Sequence, residues 1–265
     1  MTGRSGRGAG LLEGRVAVVT GAGRGIGYSI AHRFVAEGAT VVIAEADEET
    51  GRRAADELGP STSFVPMDVS QEASVESGTE QIFASFPTVD CFVANAGILA
   101  LSPALETPLA TWQRVIDVNL TGAFLTCKAF AARMVKTGHP GRIIVTSSLF
   151  GLRGGAENSA YSASKFGVIG LVQCLAAELA PHRITVNAVC PGQIETEMIR
   201  SLFRERSALL GISESEVRDR LLAKVPAGRL GTADEVADAF VFLASELSSY
   251  VTGESLVVDG GFRVS

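Results

Sequence analysis

Three side chains near the middle of the chain have the types and spacing of an acid–base set: Ser148, Tyr161 and Lys165. Tyr161 and Lys165 fall at the start of a helical pattern, where residues four apart stand on one face. A phenol titrates near 10 and is a poor base at neutral pH, but an ammonium or a second cation held beside it favours the phenolate. Lowering it to about 7 takes about 4 kcal/mol, within reach of two desolvated cations. The pair is informative because its members are scarce: three tyrosines and four lysines in 265 residues give about 0.05 chance pairs at this spacing. Ser148 lies thirteen residues upstream, just after the apolar run 143–145, at the expected carboxyl edge of a strand. That edge is where open α/β sheets bind ligands. Ser147 is its neighbour, and the interval to Tyr161 selects Ser148.

A second constellation lies near the amino terminus, where the run 16–20 passes directly into Gly21, Arg24, Gly25, Ile26 and Gly27 and then a helical pattern. Glycines there permit a tight turn and let a pyrophosphate approach helix amides. Alone the spacing is weak, expected about 0.3 times per chain by chance from 29 glycines. Its context strengthens it, because Glu45 ends the next strand pattern and can accept bonds from ribose hydroxyls while repelling a 2'-phosphate. NAD is therefore expected over NADP, with Arg24 weighing the other way. Tyr28 follows Gly27 where a triphosphate-binding loop needs lysine.

The elements that must hold these groups alternate. Apolar, β-branched runs at 16–20, 41–44, 63–66, 91–94, 143–145, 185–189 and 256–258 predict strands buried on both faces. Helical patterns at 26–37, 48–58, 72–85, 109–136, 159–179 and 233–245 would cover both sides of a parallel sheet. The fold class is α/β: a Rossmann-type, doubly wound parallel sheet of about seven strands. Residues 1–11 are expected to be a flexible tail and 12–265 one dinucleotide-binding catalytic domain. At 195–230 the helical pattern runs on without a strand, either a ligand-covering segment or an extra surface helix pair.

Composition narrows the class. Charged residues make up 20% and hydrophobic residues 46%, with a net charge of -6 and dispersed basic residues, so no nucleic-acid footprint is expected. No uninterrupted apolar run approaches the roughly 18 residues of a membrane span, and no secretory leader pattern opens the chain. Cys91, Cys127, Cys174 and Cys190 lack metal-ligand spacing, so no metal is expected; they read as buried, reduced thiols of a cytoplasmic protein. Ester hydrolysis would need a Gly-x-Ser-x-Gly elbow with a partnered histidine. The elbow is absent, and His32, His139 and His182 read as surface or capping residues.

In order, the motifs 20–27, Asp68 with Val69, Asn95-Ala96-Gly97, Asn119, Ser147-Ser148, Tyr161 to Lys165, Pro191-Gly192 and 258–261 resemble the short-chain dehydrogenase/reductase family, in its compact single-domain branch. The resemblance covers the chain from Leu12 onward. It implies hydride transfer between NAD(H) and a secondary alcohol or ketone, with Tyr161 as general acid/base and Ser148 hydrogen-bonding the substrate oxygen. It further implies that Lys165 lowers the Tyr161 pKa and binds the nicotinamide ribose, and that Asn119 holds a relay water. Asp68 and Val69 would contact adenine; Asn95, Ala96 and Gly97 the ribose side; Pro191, Gly192, Ile194 and Thr196 the nicotinamide. Taken by themselves, Asn95 and Asn119 could equally be buried polar links, and Pro191-Gly192 a turn. The resemblance also implies a homotetramer and makes 195–230 a substrate-covering helix pair. Met198, Ile199, Leu202, Phe203, Leu209 and Leu210, with Leu149, Phe150 and Leu152 beside Ser148, point to a mainly hydrophobic substrate or else pack on the core or on another subunit. A catalytically silent dinucleotide-binding sensor or scaffold is the alternative.

Overall fold

The computed structural model describes residues 10–264. Seven strands form one parallel sheet: β1 (Val16–Thr20), β2 (Thr40–Glu45), β3 (Thr62–Pro66), β4 (Cys91–Ala94), β5 (Gly141–Thr146), β6 (Ile184–Pro191) and β7 (Ser255–Val258). Their order is β3-β2-β1-β4-β5-β6-β7, so the winding reverses between β1 and β4. Ligands bind outside the carboxyl ends of the strands at such a switch point.

Alternate residues of each strand face two separate cores, which is why the strand runs are apolar throughout. Val18, Val42, Phe92, Ile143 and Val186 pack on one face with Phe130 and Val172, carried by α5 (Gly122–Thr137) and α6 (Ser159–Leu179). The Phe92 and Phe130 rings stack with centroids 4.0 Å apart. Val19, Val41, Ile43, Val93 and Ile144 pack on the other face with Ile30, Phe34 and Phe240. Those three come from α1 (Gly25–Ala36) and from the helix Ala233–Ala244, α9 in chain order.

The expected helix at 109–136 is broken. The α4 helix (Leu109–Ile116) passes through a wide π turn, Asp117–Thr121, before α5 begins. Asn119 sits in that turn, and its side-chain bonds to Ile98 and Ser164 hold the widened backbone in place. The final strands extend beyond their expected bounds because β6 lies between β5 and β7 and is buried along nearly its whole length. At its end Pro191 pairs with Val258. Helices α2 (Glu48–Leu58) and α3 (Glu72–Ser85) match the sequence pattern. The segment 195–230 holds two helices, α7 (Glu197–Leu210) and α8 (Glu214–Leu222).

One expectation about the cysteines needs correction. Cys91, Cys127 and Cys190 are buried but Cys174 is exposed, since it lies on the outer side of α6. The stretches 109–137 and 159–182 are long and apolar enough to cross a membrane by length and composition alone, with mean hydropathies of 1.3 and 1.4. Each nevertheless lays one face on the sheet core. Of the expected tail, Leu11 donates its amide to Glu37 Oε2 at 3.0 Å; positions 1–9 lie outside the described residues.

Candidate active site

The carboxyl ends of the strands open into a cleft of about 1580 Å³. Its floor begins at the turn from β1 into α1. Gly21 has φ +64, and a Cβ there would come 2.7 Å from Ala96 Cα. A Cβ at Gly27 would lie 2.2 Å from the Gly21 carbonyl oxygen. Side chains at either position would push the turn off β4 and close the cradle. Among the described residues no side chain caps α1, so the unpaired amides of its first turn remain for an anion, assisted by the helix dipole.

Polar links fix this turn. Asn95 Nδ2 donates to the carbonyls of Thr20 and Gly21, both at 3.1 Å, and its Oδ1 accepts from Thr146 Oγ1 at 3.0 Å. Thr20 Oγ1 accepts from the amides of Asn95 and Ala96. Glu45, at the end of β2, accepts from Gly23 N at 3.1 Å and Ala46 N at 2.9 Å. Asp68 accepts from the amide and hydroxyl of Ser70. The glycine cradle, the uncapped helix and the carboxylate at the end of β2 together fit a dinucleotide: pyrophosphate on the first, ribose on the last.

Ser148, Tyr161 and Lys165 meet in the same cleft. The Ser148 hydroxyl accepts from Phe150 N at 3.2 Å, which leaves its O–H to the Tyr161 phenol. Ser147 instead donates to the Lys165 carbonyl and belongs to the packing beneath. Lys165 is 3% exposed and donates from Nζ to the Thr146 carbonyl at 2.7 Å, 5.7 Å from the Tyr161 ring centroid. Burial lowers its pKa to about 8. Burial also pushes the Tyr161 phenol up, with the Ser148 side chain pulling it partly back. The expected lowering of the phenol by Lys165 is absent here, because the ammonium is directed at Thr146 while desolvation dominates.

Every residue expected at the site lines this cleft except Asn119. Asn119 is 1% exposed and stands behind it, with Oδ1 accepting from Ile98 N at 2.8 Å and Nδ2 donating to Ile98 O and Ser164 Oγ. Its side chain is a polar link, like that of Asn95. From α7, Met198, Ile199 and Leu202 line the cleft, as does Phe150, although Ile199 and Leu202 also pack into the small core that holds Phe203. Phe203 and Leu149 turn away into small cores of their own, Leu152 packs against the main core, and Leu210 is exposed. The Leu209 side chain lies outside the described ones.

A sequence model described as enoyl-(acyl carrier protein) reductase matches residues 21–263. The 3-oxoacyl-(acyl-carrier-protein) reductase FabG of Salmonella typhimurium is 42% identical over 250 residues, covering 94% of this chain and 98% of that protein. The chain belongs to the short-chain dehydrogenase/reductase family. Solved structures agree. A family member from Mycobacterium marinum superposes with a TM-score of 0.87 at 36% identity, covering 95% of this chain and 96% of that one. A protein described as an NAD(P)-dependent gluconate 5-dehydrogenase from Beutenbergia cavernae, with NADP bound, gives 0.88 at 38% identity, with 96% and 98% covered. The chain is thus an oxidoreductase with the family's Rossmann-like sheet.

Within this dehydrogenase/reductase site, Thr146 and Arg153 carried no sequence signal of their own, and Thr20 stood only as the first residue of the 20–27 motif. Thr20 and Thr146 knot the strand ends to Asn95, and Thr146 also holds Lys165. Arg153, on the loop after Ser148, lies over the Phe262 ring at 5.5 Å and lines the cleft. Threonine at a strand end and arginine in a loop are too common to stand out until the sheet brings them together.

Proposed function

We propose that this protein transfers a hydride between a nicotinamide dinucleotide and a secondary alcohol or ketone, with Tyr161 as the general acid/base. The observation that carries the reading is the meeting of Ser148, Tyr161 and Lys165 in one cleft with the glycine cradle. The dinucleotide supplies or accepts the hydride. Ser148 donates a hydrogen bond to the substrate oxygen, and Tyr161 gives that oxygen its proton in reduction or takes it in oxidation. A phenol raised by burial is protonated at neutral pH and so suited to act as the acid. Lys165 binds the nicotinamide ribose. Gly21, Gly25, Ile26 and Gly27 take the pyrophosphate; Asp68 and Val69 the adenine; Ala96 and Gly97 the ribose side; Pro191, Gly192, Ile194 and Thr196 the nicotinamide. Asn119 serves a relay water through its π turn, since its side chain is engaged elsewhere.

Glu45 supports NAD as the favoured dinucleotide, because its carboxylate would repel a 2'-phosphate. Arg24 in the same cleft wall and the NADP bound to the Beutenbergia relative support NADP instead. Phe150, Met198, Ile199 and Leu202 favour a mainly hydrophobic substrate body. The reductase and gluconate dehydrogenase names of the relatives share reaction at an oxygen-bearing carbon. We further place residues 12–265 in one catalytic domain, assembled as a cytoplasmic homotetramer, with 195–230 covering the substrate.

The test is Tyr161→Phe. Reduced-nicotinamide fluorescence should report cofactor binding within about twofold of wild type, while turnover across an alcohol and ketone panel falls by roughly 10²–10⁴. Turnover that survives the change removes Tyr161 from the chemistry. Running the panel with NAD and NADP separately should give the higher kcat/KM with NAD, and the reverse would overturn the weight on Glu45.

A further inference from the structure

A continuous series of hydrogen bonds joins the glycine cradle to the buried ammonium. Asn95 gives both amide donors to the carbonyls of Thr20 and Gly21, so its Oδ1 faces away from the turn and can only accept. Thr146 fills that acceptor with its one hydroxyl proton, at 3.0 Å. The Thr146 carbonyl in turn accepts from the Lys165 ammonium at 2.7 Å, the short distance of a charge-assisted bond. Thr146 and Lys165 are both buried, so water does not readily replace either partner.

Both ends of the series lie against parts of the site that a dinucleotide would touch. At the near end the Asn95 amide is packed on the first turn of α1, since a Cβ at Gly27 would come 2.5 Å from Asn95 Nδ2. An anion drawn onto the amides of that turn therefore bears on Asn95. At the far end a Cβ at Gly97 would lie 3.5 Å from Lys165 Nζ, so the segment that carries Asn95 also passes beside the ammonium. Threonine suits the middle position. Its branched Cβ restricts χ1, so a hydroxyl held by Asn95 keeps the carbonyl of the same residue in a fixed direction.

The other groups around Lys165 do not compete for the ammonium. Its titratable neighbours are Tyr161 on its own helix and the Cys190 thiol of β6. The π turn brings the neutral Asn119, whose side chain is engaged with Ile98 and Ser164. We propose that Thr146 is a positioning residue that couples the two ends of the site: an anion seated on the glycine turn acts on the Lys165 ammonium through Asn95 and the Thr146 hydroxyl. The inference rests on the hydride-transfer reading above for what Lys165 does in the reaction, while the coupling itself is measured without turnover.

Magnetic resonance of protein labelled with ε-carbon-13 lysine tests it, since the chain has only four lysines and Lys165→Arg identifies the signal. The probe is ADP, which has the adenosine and diphosphate of a dinucleotide but no second ribose to reach Lys165 itself. In the free wild type Lys165 should titrate at about 8, and saturating ADP should raise that midpoint by about half a pH unit. In Thr146→Val the free midpoint should fall by about one pH unit, because the cation loses a fixed acceptor. The ADP effect should shrink there to less than half its wild-type size. Thr146→Ser, which keeps the hydroxyl, should retain the wild-type values of both. A loss of packing alone would lower Tm and move neither reading. An ADP effect of equal size in wild type and Thr146→Val would mean that the diphosphate acts through space, and no effect in wild type would mean that the two ends are uncoupled; either result overturns the proposal. Coupling that depends on Thr146, in a protein whose Tyr161→Phe variant keeps its turnover, would uphold Thr146 while removing the hydride-transfer role of Tyr161.

Discussion

Lys165 shows at the scale of one residue what the site costs the fold. Its ammonium is buried against a single carbonyl, and burial takes it from 10.5 to about 8. Below pH 8 both folded and unfolded chains carry the charge, and the folded chain bears the whole desolvation cost. Between pH 8 and 10.5 the folded chain sheds the proton first, so the unfolded state holds more protons and stability rises with pH. The shift corresponds to about 3 kcal/mol, offset by the bond to Thr146, whose loss leaves a buried carbonyl unpaired at about 1–3 kcal/mol. Lys165→Met should therefore be neutral to stabilising by about 1–2 kcal/mol at pH 7. That difference should move by about 2 kcal/mol in favour of wild type by pH 9.5. Thermal melts of the two proteins at both pH values measure it, and a difference independent of pH would mean that Lys165 is not buried as a cation. Scarcity made Tyr161 and Lys165 legible in the sequence. Thr146, whose carbonyl holds the ammonium, was not legible, because a threonine that ends a strand run carries no mark of its own.

At the scale of elements, apolar runs and turn residues announced the strands and most helices, since burial on both faces leaves a continuous pattern. The π turn at Asn119 left no such mark. No glycine or proline interrupts 117–121; the turn widens because a side chain is held from outside the helix by Ile98 and Ser164. The paired helices at 195–230 were visible as pattern, but only the structure shows α8 closed by a capping box at Ser213 and Glu216. Thr232 and Glu235 form the same device on α9. That helix packs Val236, Ala237 and Phe240 into the core beside α1, so its cap is tied to global unfolding. Thr232→Ala should lower stability by about 1 kcal/mol. The change should appear as a lower urea midpoint with an unchanged slope. An unaltered midpoint would show that Arg229, paired with Glu235 at 2.6 Å, fixes the helix start unaided.

For the molecule as a whole, the two apolar stretches that pass as membrane spans pose the question of what covers their outer faces. Phe124 on α5 is 45% exposed and Phe166 on α6 is 47% exposed. Strand β7 ends the sheet with its outer edge unpaired among the described residues, a surface that proteins ordinarily cover. Tyr250, just before it, is fully exposed. The α6 helix also carries Lys165 inward to the cleft, so a lipid environment would strip the site of its water. A second copy of the chain would cover the same apolar faces at no such cost. Phe124→Glu combined with Phe166→Glu should reduce a particle of four times the 27.6 kDa chain mass to dimers or single chains in light scattering. The exposed thiol of Cys174, on the same long helix as Phe166, should then react faster with a thiol reagent than in wild type. A wild-type protein already running as a single chain, or a variant that keeps its mass, would mean that these faces do not join copies. In that case the apolar surface of α5 and α6 would need another occupant.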